Sequence, residues 1–128
     1  GILLRFGSQR NRIGDPTQFG ANTIAFNNGP GVLVTSTFDI NNSIRGNSIY
    51  ANGGEFLINV GIDLGDSGPT LNDTNDVDVG ANQLQNFPVL ASASNSLAGT
   101  LISGSLNSRP NTNFTIDFYA SAAPDPGA

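Results

Sequence analysis

The 128-residue chain contains no cysteine, methionine, tryptophan, histidine or lysine. Without cysteine there can be no disulfide staple, and without cysteine or histidine no catalytic triad built on either residue. Positive charge is confined to Arg5, Arg10, Arg12, Arg45 and Arg109. With a formal net charge of -5 and a pI near 4.1, no basic stripe is available to displace counterions from nucleic-acid phosphates or to hold an anionic membrane. No apolar run approaches the roughly 20 residues needed to span a bilayer. The amino terminus lacks the basic segment and cleavage site of a signal peptide. It opens in the middle of a structural phrase, so an N-terminal truncation is expected. A chain of this length makes one domain, or one domain plus part of another.

What remains is rich in Asn, Gly, Ser, Thr and Asp, a composition that suits a secreted bacterial β-protein. A phrase recurs within it. Asn22-Thr23-Ile24-Ala25-Phe26-Asn27 leads to Gly31-Val32-Leu33-Val34, and Asn47-Ser48-Ile49-Tyr50-Ala51-Asn52 leads to Gly61-Ile62-Asp63-Leu64. The chain opens on the same ending, Gly1-Ile2-Leu3-Leu4. A phrase repeated at fixed period is the signature of a solenoid.

Gly1, Gly31 and Gly61 are each followed by apolar, any, apolar, the alternation of a short strand. Two further units of the form N-x-I come next: Asn11-Arg12-Ile13 and Asn22-Thr23-Ile24 in the first coil, Asn42-Ser43-Ile44 and Asn47-Ser48-Ile49 in the second. Three very short strands per coil predict an all-β fold, a right-handed parallel β-helix of about three coils. Ile13, Ile24, Val32, Val34, Ile44, Ile49, Ile62 and Leu64 are expected to stack in rows inside it. Asn tolerates left-handed corners and bonds local backbone, so Asn22 over Asn47 and Asn27 over Asn52 predict amide ladders between coils. The segments Asp15–Ala21 and Glu55–Val60 read as inserts bulging from the corners. Frequent Gly and Asn, with no apolar residues at helical spacing, argue against helix.

Three regions follow: coils over 1–65, an acidic Asp/Asn-rich capping loop over 66–86, and a partial, sandwich-like antiparallel β-region over 87–128. In the last, strands are expected over 97–106 and 112–120, joined by a turn at Ser108-Arg109-Pro110-Asn111.

The stretch Gly46-Asn47-Ser48-Ile49-Tyr50-Ala51-Asn52-Gly53-Gly54 and then Gly61-Ile62-Asp63-Leu64-Gly65 resembles bacterial right-handed parallel β-helix repeat proteins of the pectate-lyase-like kind. Leu84-Gln85-Asn86-Phe87-Pro88-Val89-Leu90 and Gly104-Ser105-Leu106-Asn107-Ser108-Arg109-Pro110-Asn111-Thr112 resemble the junction at which such a β-helix ends and an immunoglobulin-like β-sandwich begins. The resemblance implies a large extracellular or cell-surface protein. Its partners would be further coils of the same protein or neighbouring chains, and polysaccharide is a candidate ligand. That group includes adhesins and structural proteins as well as polysaccharide lyases and other sugar-active enzymes. A structural or adhesive role is expected here, with the non-catalytic part of a sugar-active enzyme as the alternative.

Chemistry is best placed in the acidic loop. Alternating Asp and Asn can turn several oxygens inward, and calcium takes six to eight oxygen ligands. Asp73, Asn75, Asp76 and Asp78 are the first candidates, with Asp63 and Asp66 beside them. The spacing is not that of an EF-hand. A lyase would need an arginine base beside calcium-binding carboxylates, and Arg5, Arg10, Arg12 and Arg45 lie in the coils. A hydrolase would need paired carboxylates such as Asp39 and Asp63. Thr35-Ser36-Thr37 is a single T-x-T and not an ice-binding array. The sequons at Asn41, Asn72 and Asn113 permit glycosylation and say no more than that.

Overall fold

A computed structural model of the chain describes residues 1–17, 19–54, 60–65 and 67–121. Its strands are β1 (Ile2–Leu4), β2 (Arg12–Ile13), β3 (Thr23–Ala25), β4 (Val32–Val34), β5 (Ser43–Ile44), β6 (Ser48–Tyr50), β7 (Ile62–Leu64), β8 (Val89–Ser96) and β9 (Gly99–Ser105). A short 3-10 turn covers Ala81–Leu84. The protein is all-β, with both parallel and antiparallel sheets.

The recurring phrase is a pairing register. Ile2 lies beside Val32 and Val32 beside Ile62, so the 30-residue spacing of the glycines aligns β1, β4 and β7 in one parallel sheet. β2 pairs in parallel with β5, Ile13 beside Ile44. β3 pairs in parallel with β6, Ile24 beside Ile49. The first round of chain therefore lays three short strands against the matching strands of the second, and β7 adds a further strand to one of the three sheets.

Alternation decides which side chains go inward. In β4 the pattern is Val32 in, Leu33 half-out, Val34 in. Leu4, Ile13, Ile24, Val32, Val34 and Ala81 form the core, with Ile2, Ile44, Ile49 and Leu64 packed against it. Each fully buried Val or Ile contributes about 1.5–3 kcal/mol. Ile62 departs from the expected inward row. It is 40 % exposed, because β7 is the last strand of its sheet and Ile62 has Val32 on one side alone.

Both expected asparagine ladders form. The side-chain amide of Asn22 donates to Asn47 Oδ1 at 2.9 Å, and that of Asn27 to Asn52 Oδ1 at 2.7 Å. A third ladder was not expected: Asn11 Nδ2 donates to Asn42 Oδ1 at 2.9 Å. The column continues to Asn82, whose Oδ1 accepts the Asn42 N–H at 2.8 Å. Asn82-Gln83-Leu84 thus stands over Asn42-Ser43-Ile44, although its left-handed φ angles of 46°, 65° and 46° make it a turn and not a strand.

Asp39, fully buried, fixes one corner. Its Oδ1 accepts the Gly7 and Ser8 N–H groups of the round below at 2.8 and 2.7 Å, and Oδ2 accepts the Ser36 N–H at 3.0 Å. A carboxylate so occupied is a structural clamp and not the free partner a hydrolase needs.

The antiparallel pair lies earlier in the chain than the pattern predicts. β8 pairs with β9 around a two-residue turn, Leu97-Ala98. Ser96 sets that turn: its Oγ accepts the Ala98 N–H at 3.2 Å and donates to the Gly99 carbonyl at 3.1 Å, while Gly99 supplies a φ of 131°. Ala91 is the extra residue of a bulge between Leu90 and Ser92. No strand forms over 112–120. That segment runs instead along the second round, where Arg45 Nε and Nη2 grip the Asp117 carboxylate at 2.7 and 2.6 Å and the Gly46 N–H donates to Tyr119 Oη at 2.8 Å. Charge pairing thus overrides the alternation of Phe114, Ile116 and Phe118.

Candidate metal centre

Asp73, Asp76 and Asp78 each offer a carboxylate oxygen within 4.8 Å of the other two. The local sequence causes the convergence. Asn75 and Asp76 adopt φ of 64° and 56°, a left-handed pair that Asn and Asp tolerate better than most residues. The chain therefore curls back, and Asp73 Oδ2 accepts the N–H groups of Val77 and Asp78 at 3.1 and 3.3 Å.

The next segments lock the curl. Asn86, buried, donates its N–H to Asp76 Oδ1 at 3.1 Å and its Nδ2 to the carbonyls of Asp73 and Asn107, both at 2.8 Å. Its Oδ1 accepts the Asp73 N–H at 3.2 Å. Ser108 Oγ donates to Asp76 Oδ2 at 2.7 Å. Arg109 donates from Nε to the Asp76 carbonyl at 3.2 Å and from Nη1 to Gln83 Oε1 at 2.5 Å. Asp76 is therefore well satisfied at 2 % exposure.

Asp78 differs. Its Oδ1 is buried and has no hydrogen-bond donor. Its pKa is raised, first by burial and then by the neighbouring charges of Asp73 and Asp76, with Arg109 opposing the rise. Three carboxylates held this close, one with an idle buried oxygen, form a cluster short of positive charge. The triad could hold a metal ion.

The other expected ligands lie elsewhere. Asn75 is exposed, and its backbone N–H donates to Asn107 Oδ1 at 2.8 Å. Asp63 belongs to β7, in register with Leu33, where its Oδ2 accepts the Gly68 N–H at 3.1 Å and its Oδ1 is buried without a partner. Asp66 lies outside the described residues. The residues that brace the triad, Asn86, Asn107, Ser108 and Arg109, escaped the sequence reading because their bonds to it span 10 to 33 positions along the chain. The only signal was that they fall in the two segments resembling a junction.

No family model, curated protein or solved structure matches this chain.

The arginine that reaches the triad is Arg109, which braces it through the Asp76 carbonyl, whereas Arg5, Arg12 and Arg45, the coil candidates for a lyase base, have partners elsewhere. Arg12 pairs with Asp15, Arg45 with Asp117, and the Arg5 guanidinium sits 4.6 Å from the centre of the Phe6 ring. An open groove of about 610 Å³ runs over the outer face of β1 and β4, lined by Leu3, Arg5, Phe6, Leu33, Ser36 and Phe38. Among the described residues no helix is long and apolar enough to cross a membrane.

Proposed function

We propose that the chain is a structural or adhesive segment of an extracellular bacterial protein, the end of a right-handed parallel β-helix with an acidic cap and the start of a β-sandwich-like region. The observation that carries this reading is the coincidence of the strand registers with the Asn columns. Matching apolar and amide positions stand over one another in successive rounds, as solenoid stacking requires. Such a stack is stiff along its axis and exposes aromatic side chains such as Phe6, Phe26 and Phe38 on its outside, which suits display or assembly at a cell surface.

In this reading calcium binds Asp73, Asp76 and Asp78 and pins the cap. A hard cation satisfies the idle Asp78 Oδ1 and offsets the mutual repulsion of the three carboxylates. Small-angle scattering of the full-length protein that carries this segment tests the architecture: an elongated rod is expected, and a compact globule would sink the proposal.

A second reading, the non-catalytic part of a sugar-active enzyme, draws on the open groove. Phe6 and Phe38 expose their rings there beside Arg5 and Ser36, chemistry that can stack on a sugar ring and bond its hydroxyls. Retention of the protein on insoluble polysaccharide, lost on Phe38→Ala, would favour this reading over the first.

A further inference from the structure

Two Asn-Gly dipeptides, Asn28-Gly29 and Asn52-Gly53, follow β3 and β6 in successive rounds. An Asn-Gly pair has an intrinsic chemistry. The glycine nitrogen, unhindered by a side chain on its own residue, can attack the asparagine side-chain carbonyl. The two sites share this chemistry and differ entirely in their surroundings.

At Asn52 every participating group is engaged. Asn52 Oδ1 accepts the Asn27 N–H and the Asn27 amide at 3.3 and 2.7 Å, and its own Nδ2 donates to the Ile24 carbonyl at 2.8 Å. The Gly53 N–H donates to the carbonyls of Asn27 and Gly29 at 2.8 and 3.0 Å. The residue is 5 % exposed. Attack would require surrendering all of these bonds and turning the side chain out of its column.

At Asn28 nothing opposes attack. The residue is exposed, and among the described residues neither its side-chain amide nor the Gly29 N–H makes a hydrogen bond. The space beside Gly29 is open to at least 4 Å.

We propose that Asn28 is a site of spontaneous covalent modification. Gly29 N loses its proton to solvent base and bonds to Asn28 Cγ. The bond from Cγ to the side-chain nitrogen breaks, and ammonia leaves with a proton from solvent. The resulting five-membered imide then takes up water at either carbonyl and opens to aspartate or isoaspartate. The net reaction consumes one water and releases one ammonia, with no redox change. Each event adds one negative charge to an already acidic chain. The isoaspartate product also inserts a methylene into the backbone ahead of Gly29. Because the Gly29 carbonyl is one of the two acceptors of the Gly53 N–H, modification of the lower turn loosens the protected one above it.

The test is to age the native protein in mildly alkaline buffer and to map peptides for conversion and isoaspartate at both sites. Asn28 is expected to convert first, with Asn52 at least about tenfold slower, a factor equivalent to a local opening of about 1.4 kcal/mol. In urea the two rates should converge, and Gly29→Ala should slow conversion at Asn28 alone. Equal rates in the folded protein would overturn the proposal, as would conversion at Asn28 only after unfolding.

Discussion

Asn47 Oδ1 receives both the side-chain amide and the backbone N–H of Asn22, at 2.9 and 3.1 Å, while Asn47 Nδ2 reaches back to the Ile13 carbonyl at 2.8 Å. One buried side chain thus closes three bonds between two rounds. Asn42 and Asn52 repeat the arrangement over Asn11 and Asn27, with Asn42 Nδ2 donating to the Ser8 carbonyl at 2.9 Å and Asn52 Nδ2 to the Ile24 carbonyl at 2.8 Å. The columns are as much a part of the interior as the aliphatic rows.

Asn47→Ala removes that side chain and strands the Asn22 N–H, while the Ile13 carbonyl keeps the Arg45 N–H at 3.1 Å. Leaving a buried polar group unsatisfied costs about 1–3 kcal/mol, so urea unfolding should show a loss in or above that range. Asn75→Ala, at an exposed position whose recorded contact is through the backbone but whose φ of 64° alanine adopts less readily than asparagine, should cost about 1 kcal/mol in the absence of calcium.

Core truncations should separate two isoleucines of different sheets. Ile24, 6 % exposed, should lose about 2–5 kcal/mol as alanine. Ile62, 40 % exposed at the last strand, should lose clearly less in the same denaturant titration. Equal losses would mean that Ile62 is covered in the native protein.

The triad should respond to pH and to calcium in opposite senses. Asp78 has a raised folded-state pKa, so the protonated form is favoured on folding. Its stabilising contribution is complete below the unfolded value and fades as pH rises through the folded one. Calcium should restore stability above that point, raising Tm at neutral pH, with chelator reversing the gain. Asp78→Asn should raise Tm at neutral pH without calcium and abolish most of the calcium response. A Tm indifferent to calcium and chelator would remove the cation from the account.

Asp117 should behave in the reverse manner. Its bidentate bonds to Arg45 hold its pKa down and raise that of Arg45. The contribution is present above the unfolded carboxylate value and is lost as pH falls through the lowered folded one. The protection factor of the Gly46 amide, which donates to Tyr119 Oη, taken against the intrinsic exchange rate at each pH, should fall at low pH and in Asp117→Asn. Protection unchanged in both would show that the segment is held by other contacts.

These contrasts mirror what the sequence reveals and what it hides. The strands after Gly1, Gly31 and Gly61 were legible because identical geometry is imposed on identical phrases, and each row of side chains must repeat. The ladders at Asn22 and Asn27 were legible for the same reason. Asn82 was not, because a longer loop precedes it and its strand has become a left-handed turn. The hairpin was misplaced because Leu97 looks like a strand residue, and only the Ser96 side chain and the Gly99 backbone make it a turn. In the acidic loop the carboxylates Asp73, Asp76 and Asp78 could be picked out by composition. Asn86 and Ser108, which hold them together, act from across the fold and leave no local pattern.

The asparagine columns join residues 25 apart at two corners, 31 apart at a third and 40 apart where that column continues to Asn82. In all four the upper Oδ1 accepts the backbone N–H of the lower asparagine, and in the first three its side-chain amide as well, although the connecting lengths differ. Each corner is therefore a splice point: chain can be added or removed between columns without disturbing the neighbouring rounds, and foreign loops grafted within 15–21 should be carried as passengers by an unchanged frame.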